Sequence, residues 1–305
     1  MARSDESNAR IGELLRTRAW EVQESPIDLG YRVDPSWPDL PGNWALGPVA
    51  GVAADSENRV YVFQRGQDAP PLLCFDNDGR LLFSWDQPPF GRPHMVTIDT
   101  DDTVWLIDDG GHVIYQVSSE GQVLFTLGVP GVRDAPGTGF DQPTDIGFGP
   151  QGEMYVSDGY GVNKRVVKFD VQGNVLLEWG TPGEGEGEFA LPHALSVGPN
   201  GLVYVADREN WRVQVFDPNG VFLTQWRHIG RPSDLILDPD SNFWICDAPN
   251  GRVTKVSLHG EALGFFGEPG KGVGELSAAH DIAYCPNGDV IVGQLDGRVQ
   301  KFTRG

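Results

Sequence analysis

The sequence predicts an all-β fold, a six-bladed β-propeller, and three observations lead there. A unit about forty residues long recurs six times, beginning near Gly47, Phe90, Phe140, Phe189, Ile229 and Leu276, and such a period marks a repeat architecture. Each copy breaks into short runs rich in Val, Ile, Phe, Tyr and Trp. The runs are separated by Asp78-Gly79, Gln151-Gly152, Asn200-Gly201, Asn219-Gly220, Asn250-Gly251 and Asn287-Gly288, which supply the positive φ that hairpin turns need. The second run of most copies ends in an aromatic-apolar-Asp pattern: VWLID, MYVSD, VYVAD and FWICD. Four antiparallel strands per copy, repeated radially, form a closed ring with few exposed sheet edges.

Taken in order, residues 1–29 read as an N-terminal helical extension and residues 30–305 as the propeller. Within residues 5–20, Ile11, Leu14, Leu15 and Ala19 share one helical face. The segment 30–41 is broken by prolines and reads as extended. The sixth copy ends at Phe302, one strand short of a blade, so a strand near Tyr31 and Val33 is expected to complete it and close the ring. The Gly-Glu run at 183–188 reads as a flexible acidic loop; it lacks the Gly-Lys-Ser/Thr ending of a phosphate loop.

A chain of 305 residues is natural for one propeller, because each blade packs only on its neighbours. The net charge of −20 argues against nucleic-acid and anionic-membrane partners, which would be repelled. No stretch reaches the ~18 apolar residues of a membrane span. The N-terminus lacks the apolar core of a secretion signal, and Cys74, Cys246 and Cys285 fall in three different copies without CxxC spacing. A cytoplasmic protein with reduced thiols is the expectation.

The chemistry resides in one slot of the repeat. His94, His193 and His280 occupy equivalent positions in copies two, four and six. The same slot holds Thr144 in copy three, Ser233 in copy five, and Ala50 or Gly51 in copy one. Alternate blades of a six-fold ring are about 120° apart, and the slot opens the innermost strand, which borders the channel. Three imidazoles therefore converge on the axis, the three-ligand arrangement of a catalytic metal site with an open position. Imidazole accepts Zn²⁺, and Fe²⁺ as well. The other histidines, His112, His228 and His259, avoid the slot.

The start of the first strand and the end of the second lie at the same end of a hairpin. Arg65, Tyr160 and Arg208 at second-strand ends are thus expected to rim the histidine face. Guanidinium grips carboxylate bidentately, which points to a small anionic substrate. A nearby cation stabilises a phenolate, which makes Tyr160 a candidate general base. Aspartates at the second-strand ends read as turn caps rather than calcium ligands. No Gly-x-Ser-x-Gly elbow, His-Glu-x-x-His helix or dinucleotide fingerprint is present.

The repeat is similar to the NHL repeat. The ordered set Gln64-Arg65-Gly66, Pro93-His94, Gln142-Pro143-Thr144-Asp145, Val156-Ser157-Asp158-Gly159-Tyr160, Pro192-His193, Ala206-Asp207-Arg208-Glu209-Asn210 and His280-Asp281 resembles the peptidyl-α-hydroxyglycine α-amidating lyases across about residues 35–305. That resemblance implies a six-bladed propeller with zinc on three histidines, cleaving a carbinolamide into an amide and glyoxylate. Carried over, His94, His193 and His280 bind the metal, Tyr160 takes the hydroxyl proton, Arg65 holds the carboxylate and Arg208 stabilises tyrosinate. It also implies a structural calcium on Asp281 and on backbone carbonyls near Val52 and Val96. The chain departs from the family at Gln64-Arg65-Gly66-Gln67-Asp68, where a His-Arg-Gly-Asp-His segment stands, and at Ala279, where a proline stands. A small 2-hydroxy acid derivative fits this chain better than a peptide. Two other readings remain open at this level: a metal-dependent lactonase or esterase using the same site, and a non-catalytic binding scaffold.

Overall fold

The computed structural model describes residues 27–134 and 139–305; the helix expected over residues 5–20 lies outside them. Six four-stranded antiparallel sheets follow one another along the chain, each a meander. The innermost strands are Val49–Ala54, Pro93–Ile98, Pro143–Phe148, Pro192–Val197, Pro232–Leu237 and Ala279–Tyr284. Each lies against the next, and the last returns to the first, so the ring is closed around a central channel.

The sixth blade is completed from the other end of the chain. Tyr31–Asp34 pairs antiparallel with Val299–Arg304, with Tyr31 opposite Arg304 and Val33 opposite Phe302. Tyr31 anchors this clasp: its ring stacks on Phe266 at 5.0 Å, meets Trp244 edge-on at 5.4 Å, and its hydroxyl donates to the Gly288 carbonyl at 2.9 Å. The expected closing strand is therefore present.

Hydrophobic packing sits between blades. Phe189 of the fourth copy meets Phe216, Phe216 meets Trp179 of the third blade, and Tyr204 meets Phe243 of the fifth blade at 4.5 Å. Burying such rings contributes about 1.5–3 kcal/mol each relative to exposure. These sheets show alternation only weakly, because both faces of a blade are covered by its neighbours.

The aspartates at second-strand ends act as caps, as expected. Asp108 accepts from Gly91, Arg92 and Gly111 N–H, Asp207 from Ala190 and Leu191 N–H, and Asp158 from Asp141 N–H. Gln64 and Gln294 take over this role in blades one and six, accepting from Gly47 and Ser277 N–H. Each therefore fixes the turn that leads into an innermost strand.

One expectation is corrected. The acidic run at 183–188 is held in place, not loose. Fully buried Arg212 donates to the carbonyls of Glu184, Gly185 and Glu188 while pairing with Asp207 at 2.8 Å. Thr181–Pro182, just before the run, and Glu188–Phe189, where it ends, pair as a short parallel bridge. A buried guanidinium needs many acceptors, and the loop's carbonyls supply them.

Candidate metal and substrate site

The register of every innermost strand breaks at the slot. Pairing skips between Val49 and Gly51, Pro93 and Val96, Pro143 and Asp145, Pro192 and Ala194, Pro232 and Asp234, and Ala279 and Asp281. The gap holds Ala50, Thr144, His193, Ser233 or His280, and in blade two His94 together with Met95. A β-bulge leaves such a residue unpaired and re-aims its side chain. Here the bulge directs three imidazoles inward.

The bulged residues also hold one another. His94 Nδ1 bonds the Thr144 carbonyl at 2.7 Å, His193 Nδ1 the Ser233 carbonyl at 2.5 Å, and His280 Nδ1 the Ala50 carbonyl at 2.8 Å. Each histidine is thus clamped by the slot residue of the following blade, which identifies Ala50 as the slot residue of blade one. A carbonyl can only accept, so Nδ1 carries the proton and Nε2 is left as a lone-pair donor toward the axis. The ring centroids stand 4.8–5.1 Å apart, and one ligand atom from each histidine lies within 4.8 Å of the others. The Nε2 atoms of His94 and His280 are buried without a partner.

Burial is the main influence that lowers the basicity of all three imidazoles. His280 is brought down to about 3, with Arg208 and Arg65 adding to the effect, and His94 and His193 also fall well below the usual imidazole range. Three neutral imidazoles with aligned lone pairs fit a tetrahedral divalent cation with one open position. The cluster could hold a metal ion.

Two glycines permit this convergence. A Cβ on Gly51 would lie 2.7 Å from Val96 N and 2.8 Å from the His94 carbonyl, so a side chain there would push blades one and two apart. A Cβ on Gly159 would lie 2.1 Å from the Pro192 carbonyl, so only glycine lets the chain pass beside His193 and deliver Tyr160.

The expected rim residues arrive at the same face. Tyr160 Oη lies 2.9 Å from His193 Nε2, and Arg208 Nη1 donates to it at 3.3 Å. Its ring packs edge-on against His94 and His193 at 5.1 and 5.4 Å. Arg65 donates from Nε to the Pro93 carbonyl at 2.6 Å, next to His94, and its Nη2 is buried without a partner. An unpaired buried N–H of a charged group is costly unless a ligand satisfies it.

One residue deeper in the channel, Asp145, Asp234 and Asp281 form a buried acidic layer. Their carboxylates accept N–H groups of Leu195 and Ile146, of Leu235 and Ile282, and of Val52 and Ile282. Burial raises all three above the ordinary carboxylate range, and repulsion from Asp234 raises Asp145 and Asp281 further. Val52 and Val96 line the cavity of about 410 Å³ that continues below this layer toward the opposite face. Val52 meets Asp281 through its N–H, at 2.9 Å.

Sequence reasoning passed over several residues here. Asp145 and Asp234 follow their slot residues just as Asp281 follows His280, and that repetition was readable. Arg92 and Arg231 each precede the proline before a slot, and they too reach the rim. Arg92 pairs with Asp109 through two 2.6 Å bonds and stands 5.0 Å from the Tyr160 ring centroid. Arg231 pairs with Glu209, which also accepts from Arg208 at 3.1 Å.

Known proteins resemble this chain at both levels. The family described as NHL repeat matches residues 189–216. NHL repeat-containing protein 3 of Homo sapiens is 34% identical over 274 residues, covering 84% of this chain and 77% of the relative. Peptidyl-alpha-hydroxyglycine alpha-amidating lyase 1 of Drosophila melanogaster is 31% identical over 333 residues, covering 89% of this chain and 59% of the relative. A solved streptogramin B lyase superposes with a TM-score of 0.64 at 15% identity, covering 90% of this chain and 98% of that one, a likeness of fold.

Proposed function

The chain belongs to the NHL-repeat propeller family, and we propose that it is a metal-dependent carbon–nitrogen lyase of the α-amidating lyase type. Its substrate would be a small carbinolamide, R–CO–NH–CH(OH)–COO⁻, or a related 2-hydroxy acid derivative, and glyoxylate would be released. One observation carries this reading: a phenol hydroxyl, itself held by a guanidinium, stands at the point where three buried imidazoles converge.

His94, His193 and His280 would hold the ion, Zn²⁺ or Fe²⁺. When bound it supplies a Lewis acid that makes the substrate hydroxyl easier to deprotonate. Arg65, with an unpaired buried Nη2, would grip the carboxylate and keep the carbinol carbon in place. Tyr160, as a tyrosinate stabilised by Arg208 beside it, would accept the hydroxyl proton at Oη and become the neutral phenol. The oxygen's electrons then form the aldehyde C=O, the C–N bond breaks with its pair going to nitrogen, and a proton returned to nitrogen completes the amide. Metal-assisted hydrolysis would use the same base to activate water, while the lyase step also gives the carboxylate grip of Arg65 a role at the reacting carbon.

A structural Ca²⁺ held by Asp281 and backbone carbonyls near Val52 and Val96 would supply the counter-charge that the buried, mutually repelling carboxylates of Asp145, Asp234 and Asp281 call for. Among the described residues no helix is long and apolar enough to cross a membrane. The net charge of −20 also disfavours nucleic acid, so a small anion drawn to the arginine rim is the expected partner.

The direct test is glyoxylate release from N-benzoyl-2-hydroxyglycine by zinc-loaded protein. Turnover that disappears in His94→Ala supports the lyase. No glyoxylate from this or any N-acyl-2-hydroxyglycine would remove the reading.

A further inference from the structure

The rim carries more positive charge than one carboxylate needs. Arg65 and Arg208 follow the second strands of blades one and four, and Arg92 and Arg231 precede the first strands of blades two and five. Each pair is therefore three blades apart, on opposite sides of the channel mouth. Against these four guanidiniums stand two carboxylates, Asp109 on Arg92 and Glu209 shared by Arg208 and Arg231. In a chain of net charge −20 this is a local cationic focus of the kind that selects and steers anions.

Arg92 is the most exposed of Arg92, Arg208 and Arg231 at this rim. Asp109, fully buried, binds its Nε and Nη2 at 2.6 Å each and so fixes the guanidinium plane. The side chain is 41% exposed, its hydrogen bonds to Asp109 use Nε and Nη2 and not Nη1, and the guanidinium carbon stands 5.0 Å from the Tyr160 ring centroid. Arg65, by contrast, is mostly buried next to His94, against the reacting centre. Two guanidiniums at different depths are suited to two anionic groups on one molecule.

We infer that Arg92, held by Asp109, is a specificity-determining residue that binds a second carboxylate on the departing amide portion of the substrate, so that the chain prefers small dianions over neutral N-acyl or peptidyl groups. This inference rests on the lyase reading for the orientation of the substrate, with Arg65 on the glyoxylate-forming end.

The test uses two ligands that lack the hydroxyl and so cannot be cleaved, N-succinylglycine and N-acetylglycine, titrated calorimetrically into the full zinc-loaded chain. The wild type is expected to bind N-succinylglycine about tenfold or more tightly, the effect of a charge-assisted fork. In Arg92→Gln, whose amide can still donate to Asp109, that ratio is expected to fall to within about twofold of unity, and Arg92→Lys, which keeps the charge but not the fork, is expected to lie between. Equal wild-type affinities, or failure to bind either ligand, overturns the inference, and that comparison stands even if a variant misfolds. A ratio unchanged in Arg92→Gln also overturns it, because Arg92 would then only support Tyr160. Glyoxylate release from N-succinyl-2-hydroxyglycine is scored separately: its absence sinks the lyase reading, while the binding ratio still decides the role of Arg92.

Discussion

Replacing Tyr160 with Phe isolates the proposed base. The substitution removes one oxygen, which lies 2.9 Å from His193 Nε2 and 3.3 Å from Arg208 Nη1, and keeps the ring that packs on His94 and His193. Two hydrogen bonds at a partly buried position amount to about 1–2 kcal/mol of stability, so the protein is expected to fold. Loss of a positioned general base costs about 10²–10⁴ in rate, which is ~2.7–5.4 kcal/mol of barrier at ~1.36 kcal/mol per tenfold. Steady-state glyoxylate release should show this fall in kcat, with a smaller change in KM because Arg65 still grips the carboxylate. Metal content should stay at the wild-type level, since the imidazoles keep their carbonyl clamps. A kcat within about threefold of wild type, with metal bound, would refute the role given to Tyr160.

Two further expectations concern the scaffold. Tyr31→Ala removes a buried ring from the strand that closes the propeller, and should cost about 3–5 kcal/mol by chemical denaturation; a loss below about 1 kcal/mol would mean that the clasp matters little. His280 is neutral in the folded chain down to about pH 3, whereas the unfolded chain protonates it near pH 6.5. Below that value the unfolded state binds more protons, so this contribution to stability is lost as pH falls from about 6.5 toward 3. Asp247, pushed up to about 6 by burial, works in the opposite direction, its contribution being lost as pH rises through that value. The difference between wild type and His280→Gln therefore isolates the histidine: urea midpoints of metal-free protein should drop more steeply between pH 7 and 4.5 in the wild type. Parallel drops would contradict the assignment.

The ring and its three histidines were legible because both repeat. A strand ending in Asp and a slot holding His or a small residue recur at fixed spacing, and geometry then places alternate slots about 120° apart. The clamps were not legible, since the acceptors of Nδ1 are backbone carbonyls of Thr144, Ser233 and Ala50, and no residue type marks a carbonyl. For the same reason Ala50 and Gly51 could not be told apart until the bulge was seen. The run at 183–188 looked loose because its glycines and glutamates have no apolar partner; Arg212, distant in sequence, supplies the order. Arg92 stood in plain view before Pro93-His94, but its direction depends on Asp109, which becomes buried only when the turns of blade two assemble.

The account depends most on the histidine cluster being a metal site. Elemental analysis of purified protein, wild type beside His193→Ala, tests this directly. About one equivalent of zinc or iron in the wild type, lost in the variant while the propeller remains folded by circular dichroism, is the expected result. Chelator-free wild-type protein that is folded and takes up no transition metal would contradict the proposed chemistry and leave a binding scaffold as the better account.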